Sequence, residues 1–209
     1  MNEEKIVNYL NKKKESIISE ISSENIEVYT FLLQEFKRTD VSKNRVFQFT
    51  YRSFYRLDNA GLSLKFKEKY FELMQKNKTK RGFTDSDIRK IIKNLSKYPR
   101  IGKGKKEHLQ FSFTTKLLNT INRKYPIYDS KVATLFKGFR APLYRGDLEE
   151  RIDKYLKRYT HLKAFYKQNI DTKEIRKIIS LFDKKFKNNE ISDEKKLDFI
   201  LWAGGKIKG

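Results

Sequence analysis

Proline occurs at only three positions in this 209-residue chain, 99, 126 and 142, so long stretches of the sequence contain no helix-breaking residue. Within these stretches apolar residues recur at spacings of three and four, which is the period of one face of an α-helix. Near the N-terminus, one such face holds Ile6, Leu10, Ile17 and Ile21. The pattern predicts an all-α fold of roughly nine or ten helices, without a clear strand.

One segment is ambiguous, because residues 46–57, VFQFTYRSFYRL, alternate in a way that also suits a strand. We favour a helix there, since no partner strand pattern lies nearby. Further along, Thr84 and Asp87 supply N-cap chemistry for a helix that ends before the first proline. Two more helices are expected at about 108–121 and 130–139.

Composition limits the classes of protein that the chain can belong to. With 38% hydrophobic and 14% aromatic residues it can bury a core, as one domain or as two closely packed lobes. The absence of cysteine excludes disulfides, thiolate zinc sites and cysteine nucleophiles. Apolar runs are too short for a transmembrane helix, and the first residues lack the pattern of a signal peptide. We therefore expect a cytoplasmic protein with no membrane partner.

The formal net charge of +22, from 48 basic and 26 acidic residues, indicates a polyanionic partner. A lysine-rich coding bias would also give a basic chain, and an anionic membrane surface would also attract one. Nucleic acid is favoured because tyrosine and phenylalanine are interleaved with the basic residues, as base stacking requires.

Two basic loops could contact phosphates. The first is residues 99–106, PRIGKGKK, in which glycines allow backbone N–H groups to approach a phosphate just before a helix. The second follows the helix expected at 130–139. Solvated loops would have the same residue types. The candidate DNA contacts are Arg100, Gly102, Lys103, Gly104, Lys105, Lys106, Lys137, Arg140 and Arg145.

Asp129 and Lys116 are the candidate catalytic residues. Asp129 precedes Ser-Lys-Val-Ala, where its carboxylate can cap the next helix. A carboxylate fixed at a helix start can also stabilise a cationic sugar-like transition state, so capping and catalysis are compatible. Lys116 lies about 130° from the apolar face of its helix at about 100° per residue. Periodicity alone therefore favours a solvent-facing lysine over one at the margin of a cleft opposite Asp129.

Trp202, the only tryptophan, ends an apolar run before Gly204 and Gly205. Core packing is the favoured interpretation, and stacking on a base in a pocket is the other. The two histidines, His108 and His161, lie far apart in the sequence and lack metal-ligand spacing, so no metal site is expected.

The run at 111–136, FSFTTKLLNTINRKYPIYDSKVATLF, resembles the core of the helix–hairpin–helix DNA glycosylase superfamily. It is most similar to the bacterial 8-oxoguanine DNA glycosylase-like branch. Lys116 matches the lysine of the second hairpin helix, and Ile127, Asp129 and Val132 match the pattern around the aspartate. The closing LDFILWAGGK, residues 197–206, also resembles that branch. The resemblance predicts a glycosylase-like core at 80–209 and an N-terminal helical lobe at 1–79, in a single domain.

The chain departs from the family at the glycine hairpin, which does not directly precede Lys116. The nearest glycine pair, Gly102 and Gly104, lies further upstream, and this makes Lys105 and Lys106 rival nucleophiles. Lys116 is preferred, because its flanking residues and its distance from Asp129 fit the family better.

The resemblance implies a DNA glycosylase that excises a damaged or modified base, with 8-oxoguanine as one candidate. Lys116 would form a Schiff base with the sugar, Asp129 would stabilise the positive charge, and β-elimination would give abasic-site lyase activity. The implied partner is double-stranded DNA with an extruded base, bound by a monomer without metal or organic cofactor, at the nucleoid. The alternatives are a non-catalytic nucleic-acid-binding helical protein with a degenerate glycosylase fold, and an anion-binding scaffold.

Overall fold

The computed structural model describes residues 2–98, 101, 109–139 and 146–209. The regular structure of these residues is entirely helical, as predicted. The α-helices are α1 (Glu3–Lys12), α2 (Lys14–Glu20), α3 (Ser23–Arg38), α4 (Arg45–Phe54), α5 (Leu64–Lys76), α6 (Asp85–Ser96), α7 (Phe111–Ile121), α8 (Ser130–Ala133), α9 (Leu148–Asn169), α10 (Lys173–Lys185) and α11 (Asp193–Lys208). A 3-10 helix at Asp58–Ala60 lies between α4 and α5.

The described residues thus contain eleven α-helices, more than predicted, and the N-terminal stretch shows why. Its apolar spacing predicted one helix, but the chain breaks at Lys13, whose φ of −107° and ψ of 15° end α1 and start α2. Ile6, Leu10, Ile17 and Ile21 are all fully buried. Helices α1 and α2 both pack on α10 and α11.

The ambiguous segment at 46–57 forms α4, which Asn44 caps through a hydrogen bond from Phe47 N. Phe47, Phe49 and Tyr51 stand at alternate positions, as on one face of a strand. In the helix they do not share a face, because Phe47 and Tyr51 are buried whereas Phe49 is 65% exposed. The helix expected at 130–139 is shorter than predicted, since α8 ends at Ala133 and turns follow.

Buried apolar side chains from α1 through α11 form one hydrophobic core. Both predicted lobes contribute to it, from Ile6 near the N-terminus to Ala203 in α11. The division into lobes at residue 80 stays a prediction. No helix in the described ranges is long and apolar enough to cross a membrane.

Two adjacent glycines let α11 pack closely on its neighbours. A Cβ on Gly205 would lie 2.0 Å from the backbone oxygen of Lys131, and one on Gly204 would lie 2.8 Å from the Cδ2 atom of Leu10. Thr134 of the turn after α8 also donates a hydrogen bond to the oxygen of Gly205. The contact with Lys131 holds α11 against α8, the helix that begins beside Asp129.

Candidate active site

A cavity of about 480 Å³ lies between α4, α7, α8 and α11, and we call it the candidate cavity. Both predicted catalytic residues line it. Its aromatic lining residues are Phe54, Tyr55, Phe113, Phe199 and Trp202. Its charged lining residues are Arg56, Lys116, Asp129, Lys131, Lys195, Asp198 and Lys206.

Asp129 caps α8 with one of its two carboxylate oxygens. Oδ1 accepts hydrogen bonds from Lys131 N at 2.8 Å and from Val132 N at 3.0 Å. Within the described residues, Oδ2 has no hydrogen-bond partner. The capping interaction therefore fixes the side chain and leaves one oxygen available to the cavity.

Lys116 does not face solvent as its helical periodicity favoured, and that interpretation is wrong. The opposite side of α7 is covered by the end of α4, and the Nζ of Lys116 donates to the backbone oxygen of Tyr55 at 3.4 Å. The same atom lies 4.9 Å from the ring centroid of Phe113 and 5.8 Å from that of Tyr55. The structure thus has Lys116 at the margin of a cleft that Asp129 also lines.

Burial lowers the pKa of the Lys116 amine from 10.5 to about 8. Asp129 opposes this effect by raising the pKa, while Lys195 and Arg56 lower it further. A lysine with this pKa is partly neutral near physiological pH and can act as a nucleophile, whereas an ordinary solvent lysine remains almost fully charged.

Arg56 follows α4 at the edge of the cavity in an unusual conformation. Its φ of 57° lies in the left-handed region, which costs a non-glycine residue on the order of 1 kcal/mol. The exposed guanidinium adds positive charge at the edge of the cavity that Lys116 lines.

The sequence interpretation missed two functional candidates, Lys195 and Asp198. Both side chains are almost fully buried, and their Nζ and Oδ2 atoms lie 3.5 Å apart. Burial raises the pKa of the Asp198 carboxyl, and Lys195 and a hydrogen bond from Tyr166 partly offset this. The i, i+3 spacing of the pair in α11 was the only sequence signal, and it is also typical of exposed helix faces.

The position of Trp202 is compatible with both core packing and base stacking. It packs against the hydrophobic core and also lines the candidate cavity. The Nζ atom of Lys206 lies 5.6 Å from its ring centroid. Gln110 is a second lining residue of interest, because its buried Nε2 has no hydrogen-bond partner in the described part of the chain.

Of the predicted DNA contacts, Lys137 lies within the described residues. Lys137 is exposed in the turns after α8. The remaining predicted contacts lie outside the described residues: Arg100, Gly102, Lys103, Gly104, Lys105, Lys106, Arg140 and Arg145. The rival nucleophiles Lys105 and Lys106 are among them.

The described ranges contain no cluster of side chains that could hold a metal ion. Among the histidines, His108 lies outside those ranges, and His161 contacts Glu3 through Nε2 at 3.1 Å.

The fold and the site define an all-α protein in which an amine of lowered pKa and a fixed carboxylate line one cavity. Comparisons with models of known protein families, with curated proteins and with solved structures find no match to the chain. A function has to be inferred from the chemistry of the site.

Proposed function

We propose that the protein is a DNA glycosylase with abasic-site lyase activity, which excises a damaged or modified base through a Schiff base on Lys116. One observation carries the proposal. The Lys116 amine, with its pKa lowered to about 8 by burial, lines the same cavity as Asp129, whose Oδ2 has no partner among the described residues.

The lowered pKa makes the amine a competent nucleophile. At pH 7.5, about a quarter of a group with a pKa near 8 is neutral, compared with about one part in a thousand at a pKa of 10.5. The neutral amine attacks C1′ of the sugar, and the bond from C1′ to the base breaks. The base leaves with the electron pair and takes up a proton.

The remaining steps need no oxidant or reductant. The attached nitrogen loses a proton, the C1′–O4′ bond opens and O4′ takes up a proton, which gives a protonated imine at C1′. Loss of a C2′ proton then expels the 3′ phosphate and nicks the strand. Asp129 stabilises the positive charge that develops on the sugar, because its position is fixed before the reaction begins.

The lining of the cavity supports a nucleobase as the group that enters it. A volume of about 480 Å³ falls in the range of small-molecule sites. Phe54 and Trp202 offer aromatic surfaces for stacking an extruded base. The Nε2 of Gln110, which has no hydrogen-bond partner among the described residues, can supply a donor after side-chain rotation. Arg56 and Lys131 supply positive charge for the flanking phosphates.

The test is borohydride trapping on duplexes that contain an abasic site, 8-oxoguanine or another oxidised or alkylated base. We expect a covalent protein–DNA adduct that maps to Lys116 by peptide mass spectrometry. The adduct should be lost in Lys116→Ala and kept in Lys12→Ala, a matched control that removes an exposed lysine of α1.

Three contrary outcomes would change the proposal. An adduct that survives Lys116→Ala and maps to Lys105 or Lys106 would move the nucleophile to the glycine–lysine loop. No adduct and no excision, combined with steeply salt-dependent DNA binding, would instead indicate a non-catalytic nucleic-acid-binding protein. Absence of DNA binding would reject both functions.

A further inference from the structure

The chain between α7 and α8 contains a non-helical segment, residues 125–128, which leads directly into Asp129 and which we call the 125–128 segment. Side chains satisfy its backbone polar groups. Asn119 Nδ2 donates to Tyr125 O at 2.8 Å, and Thr115 Oγ1 accepts from Tyr128 N at 3.0 Å. Since Thr115 and Asn119 flank Lys116 on α7, these bonds tie both ends of the segment to the helix of the nucleophile.

The middle of the 125–128 segment is tied to a different helix. Oδ1 of Asp198, on α11, accepts a hydrogen bond from Ile127 N at 3.1 Å. Tyr159 of α9 adds a hydrogen bond to Pro126 O at 3.0 Å. The backbone just before Asp129 is therefore held from three helices, α7, α9 and α11.

Asp198 uses its full hydrogen-bonding capacity within the protein. Its Oδ1 accepts from Ile127 N and from the hydroxyl of Tyr166. Its Oδ2 accepts from Asn119 Nδ2 at 3.0 Å and from Lys195 Nζ at 3.5 Å. Although Asp198 lines the candidate cavity, its oxygens are committed to the protein, so it is suited to holding structure and not to contacting a base.

Lys195 supplies the compensating charge for this carboxylate. Its Nζ lies about 5 Å from the ring centroids of Tyr29 and Phe199 and also hydrogen-bonds to Asn119 Oδ1 at 3.4 Å. Removing one member of such a pair would leave an uncompensated buried charge, so the two residues act as a unit.

We propose that Asp198, neutralised by Lys195, is a positioning residue of the active site: it fixes the 125–128 segment through Ile127 N and thereby aims Asp129 at the sugar held beside Lys116. This inference rests on the proposed glycosylase function. Accordingly, the buried Lys195–Asp198 pair affects the rate of the chemical step and does not affect DNA affinity.

The test compares two double variants that carry the same charge. Lys195→Met/Asp198→Asn keeps an oxygen that accepts from Ile127 N, and Lys195→Met/Asp198→Leu removes it with little change in volume. We expect the Leu variant to form the trapped adduct at least 30-fold more slowly than the Asn variant, with DNA affinities within threefold. Because Lys116 has the same charged neighbours in both, the difference should persist from pH 7 to pH 9.5.

Amide hydrogen exchange at Ile127 gives a readout that needs no activity. The Leu variant should exchange this amide at least tenfold faster than the Asn variant while its other core amides stay protected. If the wild type forms no adduct, the proposed function fails, yet the exchange rates still decide whether Asp198 holds the segment. Equal trapping and equal exchange in the two variants would overturn the inference.

A milder variant covers the case in which the Leu protein does not fold. Tyr166→Phe removes one of the four hydrogen bonds to Asp198 and leaves both charges in place. We expect trapping several-fold slower than in the wild type at unchanged DNA affinity. Unchanged trapping in a folded Tyr166→Phe protein would contradict a positioning role for the network.

Discussion

At the level of single residues, a substitution can separate the capping role of Asp129 from its proposed catalytic role. Asn also accepts hydrogen bonds at an N-cap, so Asp129→Asn should change the free energy of unfolding by less than about 1 kcal/mol. It removes the negative charge, and we expect trapping to slow by at least about 100-fold. Urea unfolding and single-turnover trapping measure the two effects. A large loss of stability without a specific loss of activity in the folded fraction would make Asp129 purely structural.

The pKa of Lys116 predicts the pH dependence of the reaction. Its amine becomes neutral as the pH rises through about 8, so kcat/KM should increase from pH 6.5 to about 8 and then level off. An exposed lysine with a pKa of 10.5 would give a rate that still rises tenfold between pH 8 and 9. Measuring excision at constant ionic strength between pH 6 and 9.5 distinguishes the two profiles.

The same group links pH to stability. Below pH 8 Lys116 is charged in both the native and the unfolded state. Burying this charge destabilises the native state by its full amount in that range. Between pH 8 and 10.5 only the unfolded state stays protonated, so the free energy of unfolding rises with pH. Lys116→Met should therefore stabilise the protein by about 1–3 kcal/mol at pH 7. The gain should shrink by pH 10, and Lys12→Met should show no such trend in urea unfolding.

At the scale of helices, the packing of α11 on α8 depends on one of two adjacent glycines. A Cβ on Gly205 would lie 2.0 Å from the backbone of Lys131, which cannot move without displacing α8. On Gly204 it would meet the end of the Leu10 side chain, which can rotate. In a helix interior without such a close contact, alanine is more favourable than glycine by about 1 kcal/mol. Gly205→Ala should thus destabilise by about 2 kcal/mol or more, and Gly204→Ala by less than about 1 kcal/mol.

The rates at which Gly204→Ala and Gly205→Ala form the trapped DNA adduct test whether the α8–α11 contact affects the candidate active site. Because Gly205 contacts the first turn of α8, Gly205→Ala should slow trapping even in the folded fraction, whereas Gly204→Ala should leave it near the wild-type rate. Equal effects of the two substitutions on activity would show that the α8–α11 contact does not position Asp129.

At the scale of the whole molecule, the net charge of +22 predicts strongly salt-dependent DNA binding. If the protein contacts about six to ten phosphates, affinity should fall by about 10³ to 10⁵ between 50 and 200 mM salt. Arg56→Gln and Lys131→Gln, at the candidate cavity, should each reduce the slope of log K against log salt by about 1. Lys12→Gln and Lys173→Gln, exposed on α1 and α10, should change it less.

Local patterns predicted much of the fold, because helix periodicity and N-caps depend on neighbouring residues. The predicted N-cap chemistry of Thr84 and Asp87 is confirmed as a capping box at the start of α6, and Asp129 caps α8. The break at Lys13 was missed, since the apolar spacing of α1 and α2 fits one continuous helix. Both halves pack on α10 and α11, and a linear pattern contains no information about such contacts between residues distant in sequence.

The amino-acid sequence is enough to predict an all-α, cysteine-free and strongly basic protein, and it singles out Lys116 and Asp129 as a pair. The partial burial of Lys116 follows from the fold alone, because a residue that covers it comes from the end of α4, about sixty positions earlier. The same holds for the buried Lys195–Asp198 pair, whose partners lie on α3, α7 and α9 and directly after α4. Burial and charge environment are properties of residues distant in sequence, and they are what turns a helix cap and a lysine into a candidate active site.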